Sequence, residues 1–171
     1  CFMPVTYGGN VDSIEKIEKI LKLGIEKINI NSNSIDYNFI SKAVKKFGTS
    51  TISVGVDYLG DNVYISNGKI KTNHNVINHI LELSKLNVGE IIIQNIAKDG
   101  TYEGYDLKLL KKITSQISNP IVIAGGCTNL ESIFNGFSNG ANACAAGSLF
   151  VYYTNTKGIL INYPDEDEFK N

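Results

Sequence analysis

Two pairs of glycines, Gly8-Gly9 and Gly125-Gly126, each come directly after a short apolar run. In both stretches the next apolar run leads into a small polar turn, at Ser32 in the first and at Ser148 in the second. Glycine lets backbone amides approach an anion closely, and helix N-termini add unpaired N–H groups. The repeat therefore predicts two anion-binding turns on one face of a sheet or barrel, and a ligand with a phosphate at each end.

A tight strand–helix turn would explain a single diglycine equally well, but the paired arrangement favours binding. The residues assigned to the first site are Gly9, Asn31 and Ser32, and those assigned to the second are Gly100, Gly125, Gly126, Gly147 and Ser148.

Two aspartates follow predicted strands. Asp57 comes after a nearly continuous β-branched run, so it is a candidate acid or base at the C-terminal end of a buried strand, although it could simply cap the next turn. Asp99 precedes Gly100 and Thr101, whose amides could donate to a phosphate while the carboxylate orients the ligand. The alternative is an ordinary Asp-Gly turn.

Composition excludes several classes of protein. The chain has 171 residues and a net charge of −1. Its apolar residues make up 43% of the chain, which is enough for one buried core. There is no basic run typical of nucleic-acid binding and no apolar stretch long enough for a membrane span. Three cysteines without a C-x-x-C pair predict free thiols in the cytoplasm, and His74 and His79 lack partners at metal-binding spacing.

Bringing the glycine turns and the two aspartates to one face of the fold requires strands that alternate with helices along the chain. The predicted strands are residues 3–7, 26–31, 51–57, 90–95, 121–124 and 141–146, and the predicted helices are residues 12–23, 35–47, 76–86, 107–117 and 130–137. Residues 62–66 and 68–72 read as an inserted hairpin. Capping boxes that open at Asp12 and Thr128 are predicted to start the first and last of these helices.

This rhythm predicts six consecutive βα units with parallel strands. An open doubly wound sheet and a (βα)₈ barrel of which six units are present both fit it. Small polar turns after several strands favour the barrel, whose sites are built from the loops at the C-terminal face. The first diglycine turn also lacks the G-x-G-x-x-G spacing of a doubly wound nucleotide binder.

Taken together, the motifs resemble the cyclase subunit of imidazole glycerol phosphate synthase, a phosphate-binding (βα)₈ barrel of histidine biosynthesis. The matching segments are residues 4–9, 26–32, 54–57, 89–93, 99–101, 104–106, 125–126 and 145–150. They follow the family's order and spacing as far as about Phe150, and they correspond to its third to eighth units. The whole chain, residues 1–171, is therefore interpreted as one barrel domain that lacks two N-terminal units.

The resemblance implies a lyase that uses ammonia from a glutaminase partner and acts on a ribonucleotide with a phosphate at each end, without a metal or organic cofactor. It implies that Asp57 is a catalytic carboxylate, and that Lys27 and Glu90 belong to a charged gate at the ammonia entrance. In the family a second catalytic aspartate lies on a strand ahead of Pro4. Asn10 stands where the family usually has glycine, and Ala97 where it has an acidic residue.

These departures leave two alternatives open. One is a paralogue of the cyclase that channels ammonia to a sugar amidotransferase in surface-polysaccharide biosynthesis. The other is a barrel fragment without catalytic activity that binds phosphate or a partner subunit. With six units, the outer strands would expose unpaired backbone, which predicts self-association through the open edges.

Overall fold

The computed structural model describes residues 3–153, 158–159, 161, 163–164 and 167, and its core is a curled sheet of six parallel strands. These strands are β1 (Thr6–Tyr7), β2 (Lys27–Ile30), β3 (Ile52–Leu59), β6 (Glu90–Asn95), β7 (Ile121–Ala124) and β8 (Ala143–Cys144). The helices that connect them are α1 (Ile14–Lys22), α2 (Tyr37–Phe47), α3 (Val76–Ser84), α4 (Leu107–Thr114) and α5 (Leu130–Ser138).

A hairpin and several short elements complete the described structure. The hairpin strands β4 (Asn62–Ile65) and β5 (Ile70–Asn75) lie between β3 and α3, and β4 pairs antiparallel with β3. The short elements are a 3₁₀ turn (Thr49–Thr51), α6 (Ser148–Val151), β9 (Tyr152–Tyr153) and β10 (Gly158–Ile159).

The order of the parallel strands is β1-β2-β3-β6-β7-β8, so each strand pairs with the next parallel strand along the chain. A doubly wound sheet would reverse direction at a switch point, and this sheet does not. The prediction of about six consecutive barrel-type βα units is therefore confirmed, as a half-barrel.

The two faces of the sheet differ in chemistry. In β2, Ile28 and Ile30 are fully buried against the helices, whereas Lys27 and Asn29 point to the opposite, concave face. The strand β3 is buried nearly throughout, but its side chains also alternate in direction, and Asp57 lies on the concave face in contact with Asn31. One continuous apolar core therefore lies between sheet and helices, while the concave face carries polar side chains on β2 and β3 and the partly buried Ile92 and Val122 on β6 and β7.

Most element boundaries differ slightly from the predictions, and both predicted helix caps lie one residue too early. The N-caps are Ser13, which accepts from the amide of Lys16, and Asn129, which forms a capping box with Ser132. Both caps adopt the extended backbone that a cap requires. The outer strands β1 and β8 are shorter than predicted, because each has only one neighbour to pair with among the described strands.

Candidate functional site

The C-terminal ends of β1, β2, β3 and β6 surround a cavity of about 500 Å³. Five of the predicted site residues line it: Gly9, Asn31, Ser32, Asp57 and Asp99. They come from four different strand ends, which parallel strands bring to the same edge of the sheet.

Asp57 lies within β3, opposite Gln94 of β6 and Tyr64 of β4. The strand continues beyond it to Leu59 and into the hairpin, so the interpretation of Asp57 as a turn cap is wrong. Asp57 is 9% exposed, and its carboxylate accepts a 2.9 Å hydrogen bond from Nδ2 of Asn31. Burial raises the pKa of Asp57, the Asn31 bond opposes that shift, and the charge of Asp99 adds to it. A carboxyl group whose protonated form is favoured in this way is suited to acid–base chemistry.

Ser32 lies on the loop after β2, where the tip of the hairpin approaches it. The backbone N–H of Ser66 donates to Oγ of Ser32 at 3.2 Å. Gly9 lines the same cavity from the loop after β1, so the predicted first anion site is brought together around one cavity.

The second predicted anion site forms a smaller recess, of about 20 Å³, at the ends of β6, β7 and β8. Its lining includes Asp99, Gly100, Gly125, Gly126, Gly147 and Ser148. Asp99 borders both cavities, so the two sites are adjacent.

Both glycines of the second pair are required by the backbone. Gly125 and Gly126 have φ of +89° and +95°, a region that favours glycine. A Cβ at Gly125 would lie 2.6 Å from the carbonyl oxygen of Asn95, and one at Gly126 would lie 2.5 Å from that of Gly104. These contacts allow the recess to be lined by main chain.

Thr101 is the one predicted phosphate-binding residue that lies apart from both cavities. Its amide and its hydroxyl both donate to the carbonyl oxygen of Lys98, at 3.1 and 2.9 Å. The bonds close a turn around Asp99 and Gly100, where Gly100 has φ of +70°. The Asp-Gly turn considered as the alternative is therefore present, and Asp99 within it lines both cavities.

Lys27 and Glu90 lie at the N-terminal ends of β2 and β6, opposite the cavity. Their side chains form an ion pair with Nζ to Oε2 at 3.0 Å across β3, the strand between them. Both side chains are partly shielded, with exposures of 33% and 21%.

Asn29, Gly55 and Gln94 are concave-face residues that sequence reasoning missed. The amide nitrogens of Asn29 and Asn31 close over Gly55, where a Cβ would lie 3.0 and 2.8 Å from them. Asn29 and Gln94 also line the main cavity. The sequence carries a signal for them in β2 and the residue after it, where a polar residue recurs at every second position through Lys27, Asn29 and Asn31.

His79 is buried outside this cavity, and Tyr37 and Ser34 lie within hydrogen-bond distance of its ring nitrogens. Cys127 and Cys144 are free thiols, while Cys1 lies outside the described residues. Within the described ranges, no group of three or more His, Cys, Asp or Glu is placed to hold a metal ion. None of the helices in that part of the chain is both long and apolar enough to cross a membrane.

Comparison with known proteins agrees with this architecture. The family profile described as "Histidine biosynthesis protein" matches residues 1–157. The chain is 33% identical to a Pseudomonas aeruginosa protein provisionally named imidazole glycerol phosphate synthase subunit hisF2, over 96% of this chain and 68% of that protein. It is 36% identical to a Leptospira borgpetersenii protein provisionally named subunit HisF of the same synthase, with the same coverage.

A further relative is the imidazole glycerol phosphate synthase subunit HisF of Chlorobaculum parvum, at 32% identity over 90% of this chain and 63% of that protein. The profile covers nearly the whole chain, and the matches extend through all six parallel strands. The chain belongs to the histidine biosynthesis protein family, and it is homologous to HisF subunits.

Proposed function

We propose that the chain acts as the cyclase subunit of imidazole glycerol phosphate synthase. The observation that carries this proposal is the position of Asp57, a buried carboxylate on a cavity that meets a second glycine-lined recess at Asp99. A substrate with a phosphate at each end could place its phosphates in the two sites and its reacting centre near Asp57.

In this proposal ammonia enters an aminoimidazole carboxamide ribonucleotide and closes the imidazole ring. The products are imidazole glycerol phosphate and aminoimidazole carboxamide ribotide. Asp57 exchanges the proton, Asn31 holds its carboxylate in place at 2.9 Å, and Asp99 orients the substrate. The phosphates bind backbone amides and hydroxyls at both sites. The reaction calls for no metal or organic cofactor and is proposed to take place in the cytoplasm.

Ammonia is proposed to come from a glutaminase subunit that docks at the opposite end of the half-barrel. The Lys27–Glu90 ion pair stands at that end and would act as the gate. Above it the β2 and β3 side of the concave face is polar, through Asn29 and the Asn31–Asp57 pair, so a small polar molecule would meet hydrogen-bonding groups along that side.

One observation favours a second candidate, the paralogue that serves a sugar amidotransferase. Asn10 lines the main cavity with φ of +47°, a conformation that glycine adopts without strain. A carboxamide there changes the chemistry of the cavity where a substrate would bind. A barrel that only passes ammonia to a sugar amidotransferase would not need the cyclase's substrate contacts at this position.

Asp57→Asn tests the proposal, with Asp61→Asn as the matched control on an exposed turn. In a protein that also carries the two N-terminal βα units, ammonia-dependent turnover of the bisphosphorylated ribonucleotide should fall by about 10²–10⁴-fold in the Asp57 variant, because asparagine cannot exchange the proton. Binding of the ribonucleotide, measured by calorimetry, should remain, and the control should keep both.

The same assay separates the candidates. Binding without turnover in the unaltered protein would favour the inactive binding fragment, and transfer of ammonia to a sugar only when a sugar amidotransferase is present would favour the paralogue. Loss of binding in the Asp57 variant would contradict a proton-transfer role.

Since Asp57 is buried with a raised pKa, its neutral replacement should also make the protein more stable at pH 7, an advantage that shrinks as the pH falls and Asp57 becomes protonated.

A further inference from the structure

The β4–β5 hairpin is the one part of the described sheet that breaks the parallel βα pattern. It extends β3 by antiparallel pairing and returns the chain to α3. A barrel of this type closes its core without such an insertion. The position of the hairpin tip, beside the main cavity, suggests a role in the site.

The tip is tightly curled, and Asn67 at its centre is exposed. Ser66, Asn67 and Gly68 have φ of 55°, 58° and 74°, three consecutive left-handed residues. Gly68 lies against Ile96, whose Cδ1 would be 3.2 Å from a Cβ at that position. Asn67 and Ile96 both line the main cavity, so the tip forms part of its wall.

The hydrogen bond from Ser66 to Ser32 bears on whether the Ser32 hydroxyl donates or accepts a hydrogen bond toward a ligand. A hydroxyl offers one donor hydrogen and two acceptor lone pairs. The Ser66 amide already occupies an acceptor position on Ser32 at 3.2 Å. The hydroxyl hydrogen is left to donate elsewhere, and an anion in the cavity is a suitable acceptor.

The charges on the cavity wall make neutral donors important. Its described lining contains Asp12, Asp57 and Asp99 but neither lysine nor arginine. An anion held there depends on backbone amides, hydroxyls and carboxamides. Asn67 is exposed and carries two side-chain N–H donors, which make no hydrogen bond within the part of the chain that the structure describes.

We propose that the hairpin tip is part of the first anion site: Ser66 orients the Ser32 hydroxyl as a donor, and the Asn67 carboxamide donates to the same phosphate. This inference rests on the proposed function, because it assigns a further residue to its phosphate-binding end. It makes Asn67 a ligand-binding residue and Ser66 a positioning residue.

The experiment measures the affinity for inorganic phosphate by ³¹P NMR titration in a Ser148→Asp background, which blocks the second site by charge. Asn67→Gly removes the carboxamide and keeps the left-handed backbone without strain. It should weaken phosphate binding by about tenfold, the size expected for one hydrogen bond to a charged group. Asn67→Asp, which adds a negative charge, should weaken it further.

Asn73→Asp is the control, since it makes the same charge change at an exposed position on β5 of the same hairpin. It should leave phosphate affinity unchanged, and all variants should keep the parent's melting temperature. Unchanged affinity in both Asn67 variants would overturn the inference while leaving the proposed function intact. Equal losses in Asn67→Asp and Asn73→Asp would also overturn it. Absence of phosphate binding in the Ser148→Asp parent would instead contradict the first anion site itself.

Discussion

At the scale of single residues, His79 shows how burial sets chemistry away from the main cavity. Its side chain is 1% exposed, with the Tyr37 hydroxyl 2.8 Å from Nδ1 and the Ser34 hydroxyl 3.4 Å from Nε2. Burial, together with the nearby charge of His74, lowers the pKa of His79 to about 4. The residue joins α3 to the loop that carries Ser32, so it supports the site without touching the cavity.

This lowered pKa predicts a loss of stability in mild acid. Below the ordinary pKa of 6.5 the unfolded chain takes up a proton that folded His79 does not accept until about pH 4. The free energy of unfolding should therefore fall by roughly 3 kcal/mol between these two pH values through this residue alone. Urea unfolding of the unaltered chain and of His79→Gln, measured at several pH values, checks this.

The Gln variant should be less stable at pH 7 because it cannot reproduce both hydrogen bonds, but its stability should depend less on pH. His74→Gln, at a partly exposed neighbouring position, serves as the control and should retain most of the pH dependence. Identical pH dependence in His79→Gln and the unaltered chain would show that His79 is not held neutral.

At the scale of elements, the alternation of side chains along β2 connects the two ends of the sheet. Lys27 reaches Glu90 at the N-terminal end, and Asn31 reaches Asp57 at the C-terminal end, with Asn29 between them on the same face. One short strand and the residue that directly follows it thus contribute both to the proposed gate and to the proposed acid–base centre.

The gate proposal predicts that Lys27→Ala lowers turnover driven by glutamine and a glutaminase subunit more than turnover driven by free ammonia. Removing the lysine opens the end where ammonia would enter but leaves Asp57 in place. Lys46→Ala, which breaks the exposed Lys46–Glu18 pair, is the control. Both changes should alter the free energy of unfolding by no more than about 1 kcal/mol.

Steady-state rates with each ammonia source provide the measurement. A gate is supported when only Lys27→Ala changes the ratio of the two rates. If Lys27→Ala lowers both rates equally, or if Lys46→Ala has the same effect on the ratio, the ion pair is a structural contact and not a gate.

At the scale of the whole molecule, the outer strands β1 and β8 each pair on one side only among the described strands. In β1, the carbonyl of Val5 accepts from the amide of Lys27, so the amide of Thr6, one residue on, points to the open side. An unpaired strand edge of this kind is a template for another chain.

We expect the chain to self-associate, and Thr6→Pro to reduce that association because proline removes the outward N–H. Thr6→Ala keeps the N–H and should behave like the unaltered chain. Light scattering across a range of protein concentrations measures the effect. A monodisperse monomer at high concentration, with cooperative melting, would contradict the expectation for the unaltered chain.

Much of the local structure could be predicted from sequence. The bounds of β6 and β7 agree with the predicted strands, and the hairpin lies where the insertion was expected. Such features follow from backbone geometry and side-chain periodicity, which act over a few residues. The helix caps were misplaced by one residue, because neighbouring Asp, Ser, Thr and Asn can all cap and the choice depends on local backbone angles.

The sequence by itself determined the alternating units, the two glycine-rich turns and the polar residues at strand ends. Only the tertiary structure decided that Asn31 bonds to Asp57, that Asp99 borders both cavities, and that Thr101 turns back to Lys98. It also decided that the Ser66 amide reaches Ser32. These contacts join residues from separate loops and strands or depend on how a loop folds back, so they are set by strand register and packing and leave little trace in the spacing of residue types.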